Sequence, residues 1–213
     1  MRARNKTGVT HGRTGFLETF RNDLARIGDS ATAFSATQTQ AITPLELMTI
    51  ILEDRRFFHH FGVDLQSVLR ETAKAMRFRA HGGASTIDMQ FVRTVTGFRR
   101  NTLTRKLYEM ALAMALQAKC GKWTIIRSYL ACAYFGSGLI GADAAGDRVF
   151  GKRADLLDLE EAAFIAAMLA CPRPLNGSPK WEAKVRRRAH YALAIYHSNQ
   201  HKFLSRYNVR FAG

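Results

Sequence analysis

The chain has 213 residues, 47% of them hydrophobic, and its 32 Lys and Arg against 17 Asp and Glu give a formal charge of +15. This is the size of one domain, or one domain with a small lobe, and the apolar share excludes a disordered tail protein. The basic excess points to an anionic partner, such as a nucleic acid, an anionic membrane surface or a phosphorylated substrate.

Residues 1–41 are rich in Ser, Thr, Gly and Gln with weak periodicity, and read as a flexible arm with a short helix near Phe16–Ile27. Thr43-Pro44 is a helix start, a capping hydroxyl followed by a proline whose missing N–H costs nothing in the first turn. The apolar stripe from Leu45 predicts a helix running to Phe61, with Gly62 as its C-cap. Further helices are expected over Leu65–Arg79, from Ser85 or Thr86 to Val95 with Asp88 in a partial capping box, and from Asn101 or Thr102 to Lys119. Thr124–Tyr134, Asp158–Ala170 and Trp181–His197 complete the set. Strand alternation is absent, so the expected class is mainly α. The expected division is an arm at 1–41, a helical domain at 42–198 and a basic tail at 199–213.

Three cysteines, Cys120, Cys132 and Cys171, have neither the number nor the spacing of a disulfide framework or a zinc site. No run of the roughly 18–20 apolar residues needed to span a bilayer occurs. The first 40 residues lack the apolar core of a signal peptide, so the expectation is a soluble or peripherally attached chain.

Three stretches carry chemistry. In Glu53-Asp54-Arg55-Arg56-Phe57-Phe58-His59-His60-Phe61-Gly62, helical spacing would put Glu53, Phe57 and His60 near one face. A carboxylate beside an aromatic and a histidine suits a general base, although the same spacing describes an amphipathic helix with a polar stripe. In Gly82-Gly83-Ala84-Ser85-Thr86-Ile87-Asp88-Met89-Gln90, glycines and hydroxyls before a helix expose N–H groups to an anion, with Arg93 further along to reach it. The pattern is also that of an ordinary capped turn. In Arg105-Lys106-Leu107-Tyr108-Glu109, the i+4 and i+3 spacings set both cations beside Glu109, as an anion or metal site or as a surface ion pair.

The ordered set Glu-Asp-x-x-Phe-x-x-His-x-Gly, Gly-x-Ser-Thr-Ile-x-x-Gln and Arg-Lys-x-x-Glu resembles the peptidoglycan glycosyltransferases. These are the transglycosylase domains of class A penicillin-binding proteins and the monofunctional transglycosylases. Lys122 to Tyr129-Leu130, Tyr134-Phe135-Gly136, Phe150-Gly151-Lys152 and Arg187-Arg188 continue the likeness over residues 42 to 195. Met89, Arg127 and Ala131 stand where the family usually carries Gln, Glu and Asn, and the family's N-terminal membrane helix is not found in this chain.

The resemblance implies a lysozyme-like, two-lobed helical fold whose small lobe, near residues 65–82, faces the membrane. It implies polymerisation of lipid II into β-1,4 glycan with inversion and loss of undecaprenyl pyrophosphate, on the outer, periplasmic face of the bacterial inner membrane. Glu53 would be the base. Ser85, Thr86, Gln90 and Gly83 would position the donor, and Arg93, Arg105 and Lys106 would hold the diphosphate. Glu109 would orient those cations or a divalent metal (Mg or Mn), while Asp54, Phe57 and His60 would line or support the site. No organic cofactor is implied. The expected partners are lipid II, the growing glycan strand, an anionic membrane surface and cell-wall assembly proteins. Three readings stand beside this one: a lysozyme-like lytic hydrolase, a catalytically silent lipid II-binding or assembly protein, and a nucleic-acid binder. The last lacks an aromatic-interleaved basic motif, so no nucleic-acid partner is expected.

Overall fold

A computed structural model describes residues 15–33, 41–76, 85–98 and 102–206. These form a mainly α structure, as expected and consistent with a lysozyme-like helical domain, in which the elements pack around a helix contributed late in the chain.

That helix, α8 (Leu159–Met168), is capped by a reciprocal box in which Asp158 accepts from the Glu161 amide and Glu161 from the Asp158 amide. Ala162, Ala163, Ile165, Ala166, Ala167 and Met168 are all fully buried. A helix apolar on all sides belongs inside, and its alanines let neighbours approach closely. Against it lie α2 (Pro44–Glu53) and α9 (Pro179–Arg206). A second group is built from α4 (Ile87–Thr96), α5 (Leu103–Gln117) and α6 (Lys122–Cys132).

The expected arm is, over Phe16–Ala33, helix α1 packed on α4, α5 and α6. Ile27 and Ala31 are fully buried, and the Ala31 carbonyl accepts from the Ser128 hydroxyl at 3.0 Å. The Tyr108 hydroxyl donates to Asp23 at 3.0 Å, with the Phe16 and Phe20 rings edge-on to it. The short helix expected near Phe16–Ile27 is thus longer, reaching Ala33, and docked; the polar composition concealed the docking because only a narrow face, including Ile27 and Ala31, is buried.

Helix α2 starts as expected. Thr43 and Glu46 form a reciprocal capping box, and the other Glu46 oxygen accepts from Arg127 at 2.9 Å. Arg127 also donates to the Ala41 carbonyl and stacks on Trp123, so it ties α6 to the start of α2. Met89 is a core residue, fully buried on α4.

The end of α2 differs from the expectation. The helix stops at Glu53, and a turn and the 3-10 segment Phe57–His59 follow. The Asp54 carboxylate accepts from the Ile87 amide at 3.1 Å, which pulls the chain toward the start of α4. Gly62 is therefore no helix cap. Its φ of +74° and its approach to α5, where a Cβ would lie 2.7 Å from the Ala113 carbonyl, make it a point of backbone contact.

Asp64 is the carboxylate that caps the next helix. It accepts from the Gln66 and Ser67 amides at the start of α3 (Leu65–Met76). Thr86 caps α4, and Thr102 caps α5. Between α6 and α8 lie elements that periodicity did not reveal. They are a hairpin of β1 (Tyr134–Gly136) and β2 (Leu139–Ile140), and α7 (Ala142–Phe150). Strands this short show no alternation. Residues 199–206 continue α9 past a break at Asn199.

Candidate active site

The exit of α2, the start of α4 and one face of α9 enclose a cleft of about 620 Å³ whose walls include Glu53, Asp54, Ser85, Thr86 and Tyr191. Glu53 is the last residue of α2, with a side chain 13% exposed. One of its oxygens accepts from Gln90 Nε2 at 3.1 Å and the other from Arg188 Nη2 at 2.8 Å. The carboxylate is thus held between α4 and α9.

Gln90 is fixed in turn. The Tyr129 hydroxyl donates to its Oε1 at 2.6 Å, which leaves the amide N–H₂ for Glu53 and assigns the amide orientation. Burial, reinforced by the Glu53 charge, pushes the Tyr129 hydroxyl far above its ordinary value, so it remains a donor.

Thr86 donates its hydroxyl to the Gly62 carbonyl at 2.7 Å and accepts from the Met89 amide, binding the turn after α2 to α4. Ser85 lies just outside this cap and accepts from Arg93 Nη2 at 3.4 Å. The Gly-rich segment that includes Gly83 lies outside the described residues.

Glu109 is fully buried on α5. Arg93 grips it with two parallel bonds of 3.1 and 2.9 Å, and Arg105 adds a contact of 3.1 Å. The second cation on Glu109 is therefore Arg93 from α4, where the sequence pattern had suggested Lys106. Lys106 is half-buried on α5 and comes within ion-pair distance of no carboxylate among the described residues. The planar guanidinium fork explains the choice, since it matches a carboxylate edge as an ammonium cannot. Both Glu109 oxygens are committed to guanidinium groups, so Glu109 does not fit a resident divalent metal.

Behind the cleft lies a second buried network. Asp54 faces His60 Nε2 at 2.8 Å, and His60 Nδ1 faces Lys122 Nζ at 3.4 Å. Lys122 Nζ contacts both oxygens of Asp88 at 3.1 and 2.9 Å. With a carboxylate at Nε2 and an ammonium at Nδ1, the imidazole donates to the first and accepts from the second. Burial raises the Asp88 carboxyl and lowers the Lys122 ammonium, each opposed by the other's charge. Asp54, His60 and Asp88 bring ligand atoms within 4.8 Å of one another, but the Lys122 ammonium already engages both Asp88 oxygens and lies 3.4 Å from His60 Nδ1. This cluster does not fit a resident metal either. Phe57 is fully buried under Lys122, 4.4 Å from its ring centre, so it supports the wall of the site without facing the cleft.

The structure thus brings Glu53, Gln90, Ser85, Thr86, Arg93, Arg105 and Glu109 into one region and sets Asp54 and His60 behind it. Pattern reading had assigned no site role to Tyr129, Arg188 or Lys122, and to Asp88 only a place in a partial capping box. Each acts through a partner at least 34 residues away in sequence.

The fold and site define a helical domain with a cation-rich, carboxylate-bearing cleft, and sequence comparison identifies its family. The transglycosylase family profile matches residues 22–197, beginning inside α1. The chain belongs to the transglycosylase family. It is 34% identical over 143 residues to a biosynthetic peptidoglycan transglycosylase of Vibrio parahaemolyticus, covering 67% of this chain and 64% of that protein. It is 36% identical over 129 residues to a protein of the same name from Shewanella denitrificans, covering 61% of this chain and 56% of the relative. It is 38% identical over 130 residues to penicillin-binding protein 1A of Aquifex aeolicus, covering 60% of this chain but 18% of that protein. The chain therefore spans 64% and 56% of the two biosynthetic peptidoglycan transglycosylases and 18% of the penicillin-binding protein.

Proposed function

We propose that the chain is a peptidoglycan glycosyltransferase that polymerises lipid II, with Glu53 as general base. The observation that carries this reading is the pinning of the Glu53 carboxylate by Gln90 and Arg188 at the wall of a polar cleft. A base needs a fixed lone pair facing the hydroxyl it deprotonates, and each oxygen here spends one acceptor site on the protein while keeping another.

In this mechanism the sugar 4-hydroxyl of the acceptor faces Glu53. The carboxylate takes its proton as the oxygen attacks C1 of the donor from the face opposite the diphosphate. The C1–O bond to the diphosphate breaks, the anomeric centre inverts, and undecaprenyl diphosphate leaves. A diphosphate needs positive charge more than it needs a proton. Arg93, bonded to Ser85 near the start of α4, is the cation placed to supply it, with Arg105 behind. Glu109 holds those guanidinium groups in register. The mechanism routes no step through a metal.

A lytic hydrolase would need a carboxylic acid aimed at the scissile oxygen. Glu109 is buried with both oxygens engaged, and Asp54 is tied to His60 and Ile87, which disfavours that alternative.

No described helix is long and apolar enough to cross a membrane. Exposed Leu65 and Leu69 on α3 and Leu103 and Leu107 on α5, with the +15 charge, support contact with an anionic membrane surface. We place the enzyme there, on the periplasmic face, with cell-wall assembly proteins as partners.

The test is polymerisation of lipid II by the wild-type chain and by Glu53→Gln, with products resolved by gel. The wild type should make glycan, and the variant should lose about 10²–10⁴-fold in rate while its melting curve is unchanged. Equal rates would remove the base assignment, and an inactive wild type would remove the enzyme reading.

A further inference from the structure

Three successive residues of α6 hold three other helices. Arg127 reaches Glu46 of α2, the Ser128 hydroxyl donates to the Ala31 carbonyl of α1, and the Tyr129 hydroxyl donates to Gln90 of α4. We propose that Tyr129, which does not line the cleft, is a positioning residue that sets the Glu53 carboxylate through the Gln90 amide. This inference rests on the reading of Glu53 as general base.

The link is a hydrogen-bond chain that runs one way. Tyr129 Oη donates to Gln90 Oε1 at 2.6 Å, and Gln90 Nε2 donates to Glu53 Oε2 at 3.1 Å. The first bond lies at the short end of the range for a hydroxyl donor. It draws electron density toward the amide oxygen, which strengthens the amide N–H as a donor to the carboxylate. A glutamine amide has two orientations, and only one of them offers N–H to Glu53. Turned over, it would set its oxygen against a carboxylate oxygen and take from the buried Tyr129 proton the acceptor it now has. The direction of the chain also matters once the proton has moved. A protonated Glu53 meets donors at both oxygens, since Arg188 holds the other one and the Gln90 oxygen is turned toward Tyr129. The proton therefore remains on the cleft side.

Packing makes this chain rigid. A buried tyrosine hydroxyl needs an acceptor, and any backbone carbonyl would serve. Here the acceptor is the side chain that holds the base. Tyr129 is 4% exposed, and the Glu53 charge is among the causes that keep its hydroxyl protonated. Lys122 stands two turns earlier on nearly the same face of α6 and grips Asp88 of α4. Helix α6 is thus registered to α4 at two points about 10 Å apart along its axis, and the hydroxyl oxygen is placed by the meeting of two helices.

The test compares initial rates with lipid II and thermal midpoints for the wild type, Tyr129→Phe, Gln90→Met and the double variant. Tyr129→Phe keeps the ring and should lower kcat about tenfold, less than the roughly 10²-fold that a 1 Å misplacement costs. KM should change by less than about twofold. Its midpoint should fall, because the Gln90 oxygen loses its partner. Gln90→Met should lower kcat at least as far. In the double variant two apolar side chains face each other, so the midpoint should rise above that of Tyr129→Phe while kcat stays at the Gln90→Met value. A tyrosine that only supports the fold gives the reverse, with turnover that follows the midpoint and losses that multiply. The Gln90 side-chain amide protons, identified in NMR spectra by their loss in Gln90→Met, should exchange with water faster in Tyr129→Phe.

Wild-type kcat in Tyr129→Phe, multiplying losses in the double variant, or unchanged amide exchange overturns the positioning role. Glu53→Gln separates this outcome from failure of the base reading. If that variant is as fast as the wild type, the base reading has failed and Tyr129 positions no base. If it is inactive while Tyr129→Phe keeps its kcat, the positioning role alone has failed.

Discussion

Arg188 donates Nη2 to Oε1 of Glu53 at 2.8 Å, across 135 residues of chain, and the same nitrogen lies 3.3 Å from the Leu52 carbonyl. The guanidinium therefore fixes the end of α2 and the direction of its carboxylate together. Arg188→Ala should lower turnover by about 10–100-fold, the scale set by misplacing a catalytic group by about 1 Å. KM should move much less. Arg188→Lys restores the charge without the fork and should recover part of the rate. Initial rates over a range of lipid II concentrations check this, and an alanine variant as fast as the wild type would show that Gln90 alone positions Glu53.

Glu109 has a structural task that its motif position does not advertise. It neutralises two guanidinium groups from two helices while fully buried. Glu109→Gln leaves those cations facing an amide and should cost about 3 kcal/mol of stability, or roughly 6–12 °C in melting midpoint for a domain of this size. Turnover should fall as well, since Arg93 loses its anchor. Thermal unfolding by circular dichroism gives the first number, and an unchanged midpoint contradicts the clamp.

Gly62 is required for its bare backbone. A Cβ there would meet the Ala113 carbonyl carbon and oxygen and the Met114 amide at 2.7 Å, at a φ of +74°. Gly62→Ala must separate the turn after α2 from α5, and it should cost about 2–4 kcal/mol. Because the Gly62 carbonyl accepts from Thr86, activity should fall with stability. A urea titration that superimposes on the wild type would refute the close contact.

Tyr108 joins α1 to α5. Burial, then the hydrogen bond and charge of Asp23, push its hydroxyl from about 10 up to about 12. A folded-state value above the unfolded one favours the protonated form. The stabilisation is therefore fully present below pH ~10 and is lost as pH rises toward 12. Tyr108→Phe should be less stable than the wild type at neutral pH, and its melting midpoint should fall less steeply between pH 9.5 and 11.5. Parallel curves for the two proteins would mean that the hydroxyl does not couple to folding.

Local chemistry was readable from the chain. Thr43-Pro44, Thr102 and Asp158 start helices where their cap signals stand. Glu53, Gln90, Arg93 and Glu109 could be found as a set because motif order survives as spatial proximity. The unreadable parts depend on distant partners. Helix α2 stops early because an amide 33 residues away captures Asp54. Arg93 displaces Lys106 as the partner of Glu109 through the meeting of two helices, which intrahelical spacing cannot express. Phe57 looked like a site residue beside Glu53 until the break in the helix turned it into the core. Asp88, expected to help cap α4, spends its carboxylate on Lys122 of α6 instead.

The split origin of the Glu53 clamp also has a consequence for biosynthesis. One contact comes from α4, early in the chain, and the other from residue 188. A nascent polypeptide can bring Glu53 and Gln90 together while synthesis continues, yet its carboxylate stays half-anchored until α9 clears the ribosome. Competence for chemistry thus waits on α9, after most of the surrounding helices have had the chance to pack.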